Sequence, residues 1–144
     1  MADKAKVLVV ANRTAGSPEL LDALRERADE SPAEFHLVVP ASPRGASWMF
    51  DMNSGHDAAE HDLEGALERI RARGIEVDGE VGDPDPTAAA SDSAHAGSYD
   101  EVIVSTLPQH LSKWLKLDVT RKIAHSTGLP VTHVVAHSGS KSAA

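Results

Sequence analysis

From one end to the other the chain alternates two local patterns, a short run of β-branched and aliphatic residues and a longer stretch with apolar residues at helical spacing. Four runs are plain: Val7–Ala11 (VLVVA), Phe35–Val39 (FHLVV), Val102–Val104 (VIV) and Val131–Ala136 (VTHVVA). Their nearly continuous apolar character predicts strands covered on both faces. A fifth, Ile75–Val81 (IEVDGEV), alternates polar with apolar residues, as a strand nearer a sheet edge does. Strands separated by helices need crossover connections, and these produce a parallel sheet of fixed hand. The expected fold is α/β, a three-layer, doubly wound, five-stranded parallel sheet of Rossmann-like architecture.

The helical stretches carry start and stop signals. Ser17 before Pro18 is an N-cap followed by proline at the first helical position, and Leu20, Leu21, Leu24 and Ala28 mark one apolar face. A second helix shows Leu63, Ala66, Leu67 and Ile70 at i, i+3, i+4 and i+7, with late arginines and Gly74 closing it. A third spans the alanine-rich segment Pro84–Gly97, and a fourth follows Val104 and ends near Gly128.

At 144 residues the chain is the size of one domain, read as 1–138 with a disordered tail over 139–144. The formal net charge of -8 excludes general binding of nucleic-acid backbones. With no cysteine there is no disulfide, thiol nucleophile or thiolate metal site, and no run approaches the roughly 20 apolar residues of a membrane span. The expectation is a cytoplasmic protein without a membrane or nucleic-acid role. Aromatic residues make up only 3% of the chain, so its core is expected to be aliphatic, as suits a sheet covered on both faces.

Doubly wound sheets bind ligands beyond the carboxyl ends of their strands, where the strand order reverses. The loops after Ala11, Val39, Val81 and Val104 are therefore the candidate site. Residues 41–56 read as a long loop in which Trp48, Met49 and Phe50 form either a lid or a plug folded onto the core. His56 and His61 are five apart, off the spacing that puts two ligands on one helical face; Asp57 and His61 have that spacing, which more often marks a surface pair than half a metal site. No Walker lysine motif, G-x-S-x-G elbow or G-x-G-x-x-G follows any strand, and no nucleophile with a base is evident, so an enzyme is not expected.

Three stretches together, VLVVANRT at the start, VGDPDPTAAASDSAHAGSYDEVIVST in the middle and SKWLKLDVTRKIAHSTGLPVTHVV at the end, resemble the universal stress protein family over nearly the whole chain. The resemblance implies strand order 3-2-1-4-5 and a homodimer paired through the last strand, Val131 to Val135. Members of that family that bind ATP have an aspartate after the first strand and a GxxG, nine-residue, G(S/T) motif after the fourth. Here the first position is Asn12, and the later motif falls on Ser105, Pro108, Leu117 or its neighbour, and Asp118, without a glycine. The resemblance implies a nucleotide cleft lined by Ala11, Asn12, Val39, Gly82, Asp83, Ser105, Thr106 and Thr120, with ATP and Mg²⁺ as the associated ligands.

Glycine lets a backbone come within hydrogen-bonding distance of phosphate, and proline removes an amide donor outright. Asp118, read as the N-cap of the last helix, would place its carboxylate on the amides a phosphate needs. Ser105, Thr106, Ser112 and Thr120 with Lys113, Lys116, Arg121 and Lys122 leave an anion in another pose open; the same lysines also fit the solvated face of a helix. The leading expectation is a non-enzymatic, universal stress protein-like regulatory domain with a degraded ATP phosphate site. The alternative is a nucleotide-binding regulator with a modified cleft.

Overall fold

The computed structural model describes residues 4–11, 14–41, 54–108 and 118–136, with only the backbone described over 54–58. The strands are β1 (Ala5–Val10), β2 (Ala33–Pro40), β3 (Val77–Gly82), β4 (Glu101–Thr106) and β5 (Val131–Val135). Between them run α1 (Pro18–Glu30), α2 (Ser54–Ala72), α3 (Pro86–Ala96) and α4 (Val119–Thr127). All strand pairs are parallel, in the order β3-β2-β1-β4-β5. The expected α/β sheet and its order are what the structure shows.

Strand pleating sorts the apolar residues into two cores. Val7, Val9, Phe35, Leu37, Val77 and Ile103 face α1 and α2 and pack with Leu20, Leu24, Leu63 and Ile70. Leu8, Val10, Val38, Val102 and Val104 face α3 and α4 and pack with Ala89, Ala90, Val119 and Ile123. The small alanines of α3 let that helix lie close on the sheet, and at Gly82 the approach leaves no room for a side chain, since a Cβ there would stand 2.8 Å from Val38 Cγ1 and 2.9 Å from Ala89 Cβ.

The helix signals act as read at α1, where Ser17 Oγ accepts the Leu20 amide at 3.2 Å. Gly74 ends α2 at φ 77°, and Arg71 reaches the Val77 carbonyl at 2.9 Å. The starts of two helices differ from the sequence reading. The third helix is capped by Asp85, whose Oδ1 accepts from the Thr87 amide at 2.9 Å, two residues inside the expected start. The second begins at Ser54, so its first turn takes the end of the segment read as loop, where Ala58, Ala59 and Glu60 are strong helix formers. Trp48, Met49, Phe50 and the tail 139–144 lie outside the described residues. Among those described, no helix is long and apolar enough to cross a membrane.

The α3 face of the sheet changes character along its strands. Lys6, Glu34, His36, Asp78 and Glu80 precede the apolar residues of that face and form a polar tier, with Tyr99 beside it and Ser93 Oγ of α3 reaching Glu80 Oε2 at 3.3 Å. His36 sits in the middle, Nδ1 2.7 Å from Asp78 Oδ1 and Nε2 2.7 Å from Glu80 Oε2. Both contacts are hydrogen bonds only when the ring carries both protons and donates twice. Burial opposes that charge most strongly, but the bonds to Asp78 and Glu80 together outweigh it and hold His36 above its ordinary pKa of 6.5.

A raised folded-state pKa stabilises the fold below 6.5, and the contribution is lost as pH rises through the folded value. His133 has the opposite sign: burial lowers its pKa, so stability is lost as pH falls below 6.5. Urea midpoints measured from pH 5 to 9 are expected to decline on both sides of a maximum. His36→Asn should flatten the alkaline decline and His133→Asn the acid one; an unchanged alkaline slope in His36→Asn overturns the assignment.

Candidate functional site

The strand order reverses between β1 and β4. The chain moves from β1 outward to β2 and β3, then crosses back to β4 and β5 on the other side, so the connections part above these two central strands. Two connections meet there: the β1–α1 turn and the segment leading from β4 to α4. A crossover helix runs antiparallel to its strands, which places the N-terminus of α4 at their carboxyl ends.

Thr14 in the first turn and Ser105 at the end of β4 form a hydroxyl pair at 2.7 Å, each only 1% exposed. The pair stitches the β1–α1 turn to β4 across 91 residues of sequence. Thr106, also buried, places Oγ1 2.7 Å from His133 Nε2 on β5, and its carbonyl accepts from the Ala136 amide at 2.8 Å. These partners are why β4 runs through Ser105 and Thr106, beyond the VIV run that marks it in the sequence: both hydroxyls are bonded and so can be buried.

At the start of α4 the structure corrects the sequence reading. Asp118 occupies the N-cap position, but at φ 57° and ψ 40°, and its carboxylate accepts no backbone amide of the first helical turn. Side-chain capping requires extended backbone at the cap, and the left-handed conformation turns the side chain away. Its Oδ2 lies instead 3.5 Å from Arg121 Nη1, a pair largely in solvent. Asp118 thus has the backbone shape a glycine adopts most easily. The helical ladder begins with the Lys122 amide donating to the Asp118 carbonyl at 3.1 Å. The amides of Val119, Thr120 and Arg121 belong to the turn that an α-helix leaves without intrahelical partners. Beside them Thr120 Oγ1 is buried with no hydrogen-bond partner among the described residues.

The remaining expected site residues divide clearly. Ala11 is at the end of β1, fully buried, its amide donating to the Val38 carbonyl at 3.2 Å. Val39 is 1% exposed and belongs to the α1–α2 core, so its side chain offers nothing to a cleft. Gly82 and Asp83 close β3, two strands from β1; the Gly82 carbonyl accepts from Ala41, and Asp83 Oδ1 accepts the Asp85 amide at 2.9 Å in the turn that starts α3. Asn12, Ser112, Lys113 and Lys116 lie outside the described residues. The structure therefore brings Ser105, Thr106 and the first turn of α4 with Thr120 to one end of the sheet, next to Ala11. It adds Thr14, which the sequence marked only as a turn residue. Among the described residues no three histidine, aspartate or glutamate side chains are placed to hold a metal.

No family profile matches the sequence, and no curated protein sequence is significantly similar to it. Solved structures are similar over nearly the full length. The universal stress protein from Archaeoglobus fulgidus in complex with dAMP is 17% identical, with 93% of this chain and 99% of that chain covered at a TM-score of 0.65. A universal stress protein family protein from Arabidopsis thaliana with AMP bound is 15% identical, with 92% of each chain covered and a TM-score of 0.65. A universal stress protein in complex with cAMP is 18% identical, with 94% of this chain and 99% of that chain covered at 0.64. The fold of this chain is that of the universal stress proteins.

Proposed function

We propose that the chain is a non-enzymatic regulatory domain that takes an adenosine monophosphate-class ligand above β1 and β4, with the phosphate on the first turn of α4. The observation that carries this reading is the uncapped start of that helix: the Asp118 side chain does not cap the amides of the first turn, and the buried Thr120 hydroxyl lacks a partner among the described residues. Helix N-termini of this kind favour anions through both free donors and dipole. The nucleotides in the similar structures support adenosine as the class.

A monophosphate is favoured over ATP with Mg²⁺. No glycine lies between Ser105 and Asp118, Pro108 contributes no amide, and the Asp118 carboxylate repels each added phosphate charge. Turnover is not part of the reading: Thr14 and Ser105 are bonded to each other, and Thr106 meets His133, on whose Nδ1 no carboxylate of the described residues sits to orient the ring. Calorimetric titration is expected to give AMP a Kd of tens of micromolar, about −6 kcal/mol, and ATP with Mg²⁺ a value at least tenfold weaker. Thr120→Val should weaken AMP about tenfold by removing a hydrogen bond to a charged group. Absence of AMP binding at 1 mM, or tighter binding of ATP, sinks the proposal.

For assembly, β5 is the strand that favours self-association. The Pro130 carbonyl and Ala136 amide bond to β4, so by strand parity the amides of Val131, His133 and Val135 point away from the sheet. An edge with outward-pointing donors and half-buried valines suits a second copy of the same strand. Light scattering behind a sizing column is expected to report twice the 15.2 kDa chain mass, and His133→Pro, which removes an outward amide, to report the chain mass. A monomeric native protein refutes this assembly.

A further inference from the structure

The polar tier on the α3 face borders a cavity of about 300 Å³ at the amino ends of the strands, remote from the crevice above β1 and β4. The side chains of Lys6, Glu34, His36, Glu76, Asp78 and Tyr99 line it, and Phe35 and Val77, whose side chains belong to the core on the other face, border it. Nothing in the proposed nucleotide site uses these residues.

Three features of the cavity bear on what it accepts. The Tyr99 ring forms one wall and already carries a cation on its face, the Lys6 ammonium 5.9 Å from the ring centroid. Among the described residues Lys6 Nζ has no carboxylate partner, so the ring face and its surroundings hold that charge, and the exposed lysine stem is free to swing aside. Glu34 and Asp78 reach the same space, as does Glu76, which is paired with Lys4. Finally, the field has a sign: burial first, and then Asp78, Glu80 and Glu34, push the Tyr99 hydroxyl up, even with Lys6 and a doubly bonded His36 nearby. Together the aromatic face, the Glu34 carboxylate, the Asp78 carboxylate that His36 engages through one oxygen, and the negative field select a cation.

A bare divalent ion does not fit, because no three metal-ligating side chains of the described residues converge to hold one, and both nitrogens of His36 are committed to Asp78 and Glu80. An anion is opposed by the field. The volume is at the lower end for small-molecule sites, so the occupant is compact. We propose that this cavity binds a small organic ammonium ion, seated over Tyr99 between Glu34 and Asp78 in the place Lys6 Nζ now holds. Lys6 is then an internal competitor that the ligand displaces.

Tyr99 is the only tyrosine of the chain, so its ring resonances report on the cavity directly. Titration of the full chain with cadaverine, at constant ionic strength against sodium chloride, is expected to shift them to saturation in the submillimolar range. Lys6→Ala should tighten cadaverine three- to tenfold by removing the competing ammonium, a gain that misfolding cannot imitate. Asp78→Asn and Tyr99→Ala should each weaken it at least fivefold, and Tyr99→Phe should leave it near the native value. A Lys6→Ala protein that binds cadaverine no better than the native chain, a non-saturating shift, or a Tyr99 shift produced by inorganic phosphate instead overturns the proposal.

Discussion

Replacing Gly79 with alanine is expected to lower the thermal midpoint by about 10 °C, from a loss of roughly 3 kcal/mol. Gly79 lies inside β3, opposite Leu37 in the parallel register. A Cβ at this position would stand 2.6 Å from the Leu37 carbonyl oxygen and 2.7 Å from Leu63 Cδ1. The leucine methyl can turn aside, but the carbonyl belongs to the β2 backbone and moves only if the β2–β3 pairing opens. The strain therefore passes to the edge strand and to the seat of α2, and hydrogen exchange should quicken first in β3. Alanine at Gly65, where a Cβ would meet nothing within 4 Å, is the control and is expected to be neutral or mildly stabilising. A Gly79→Ala protein that melts within 2 °C of the native chain would mean that β3 pairs less tightly than described.

Replacing Asp118 with asparagine is expected to strengthen AMP binding about tenfold and ATP binding more, with the thermal midpoint unchanged. Asparagine keeps the shape of the side chain and tolerates the left-handed conformation found at φ 57°. What it removes is a negative charge beside the phosphate position; two charges about 7 Å away in a largely aqueous medium interact by roughly 1.5 kcal/mol, which is about tenfold. The pair with Arg121 is too exposed to matter for stability. Because the carboxylate does not cap α4, no helix stability is lost with it. Unchanged affinity for both nucleotides in the variant would place the phosphate elsewhere, even if AMP binds.

Much of the architecture was open to reading in the linear pattern. Runs such as VLVVA and FHLVV announced strands covered on both faces, and the leucines of α1 and α2 announced which side of each helix would be buried. Ser17 and Gly74 performed the terminal roles their residue types imply. The site was less open. Asp118 has the sequence signature of an N-cap, yet the chain arrives there in a left-handed turn and the carboxylate points away. Val39, next to a strand end in sequence, is sealed in the core, while Gly82 and Asp83 belong to the edge strand and the turn that starts α3.

The difference follows from the range of the forces. Periodicity of apolar residues, capping types and glycine stops act within a few residues, so they can be read without knowing where the rest of the chain lies. Whether Thr14 and Ser105 are buried depends on their meeting each other across 91 residues, and the His36 pKa is raised only because Asp78 and Glu80 arrive 42 and 44 residues later on the neighbouring strand. A buried hydroxyl or charge is stable only with its partner in place, and the sheet register supplies that partner.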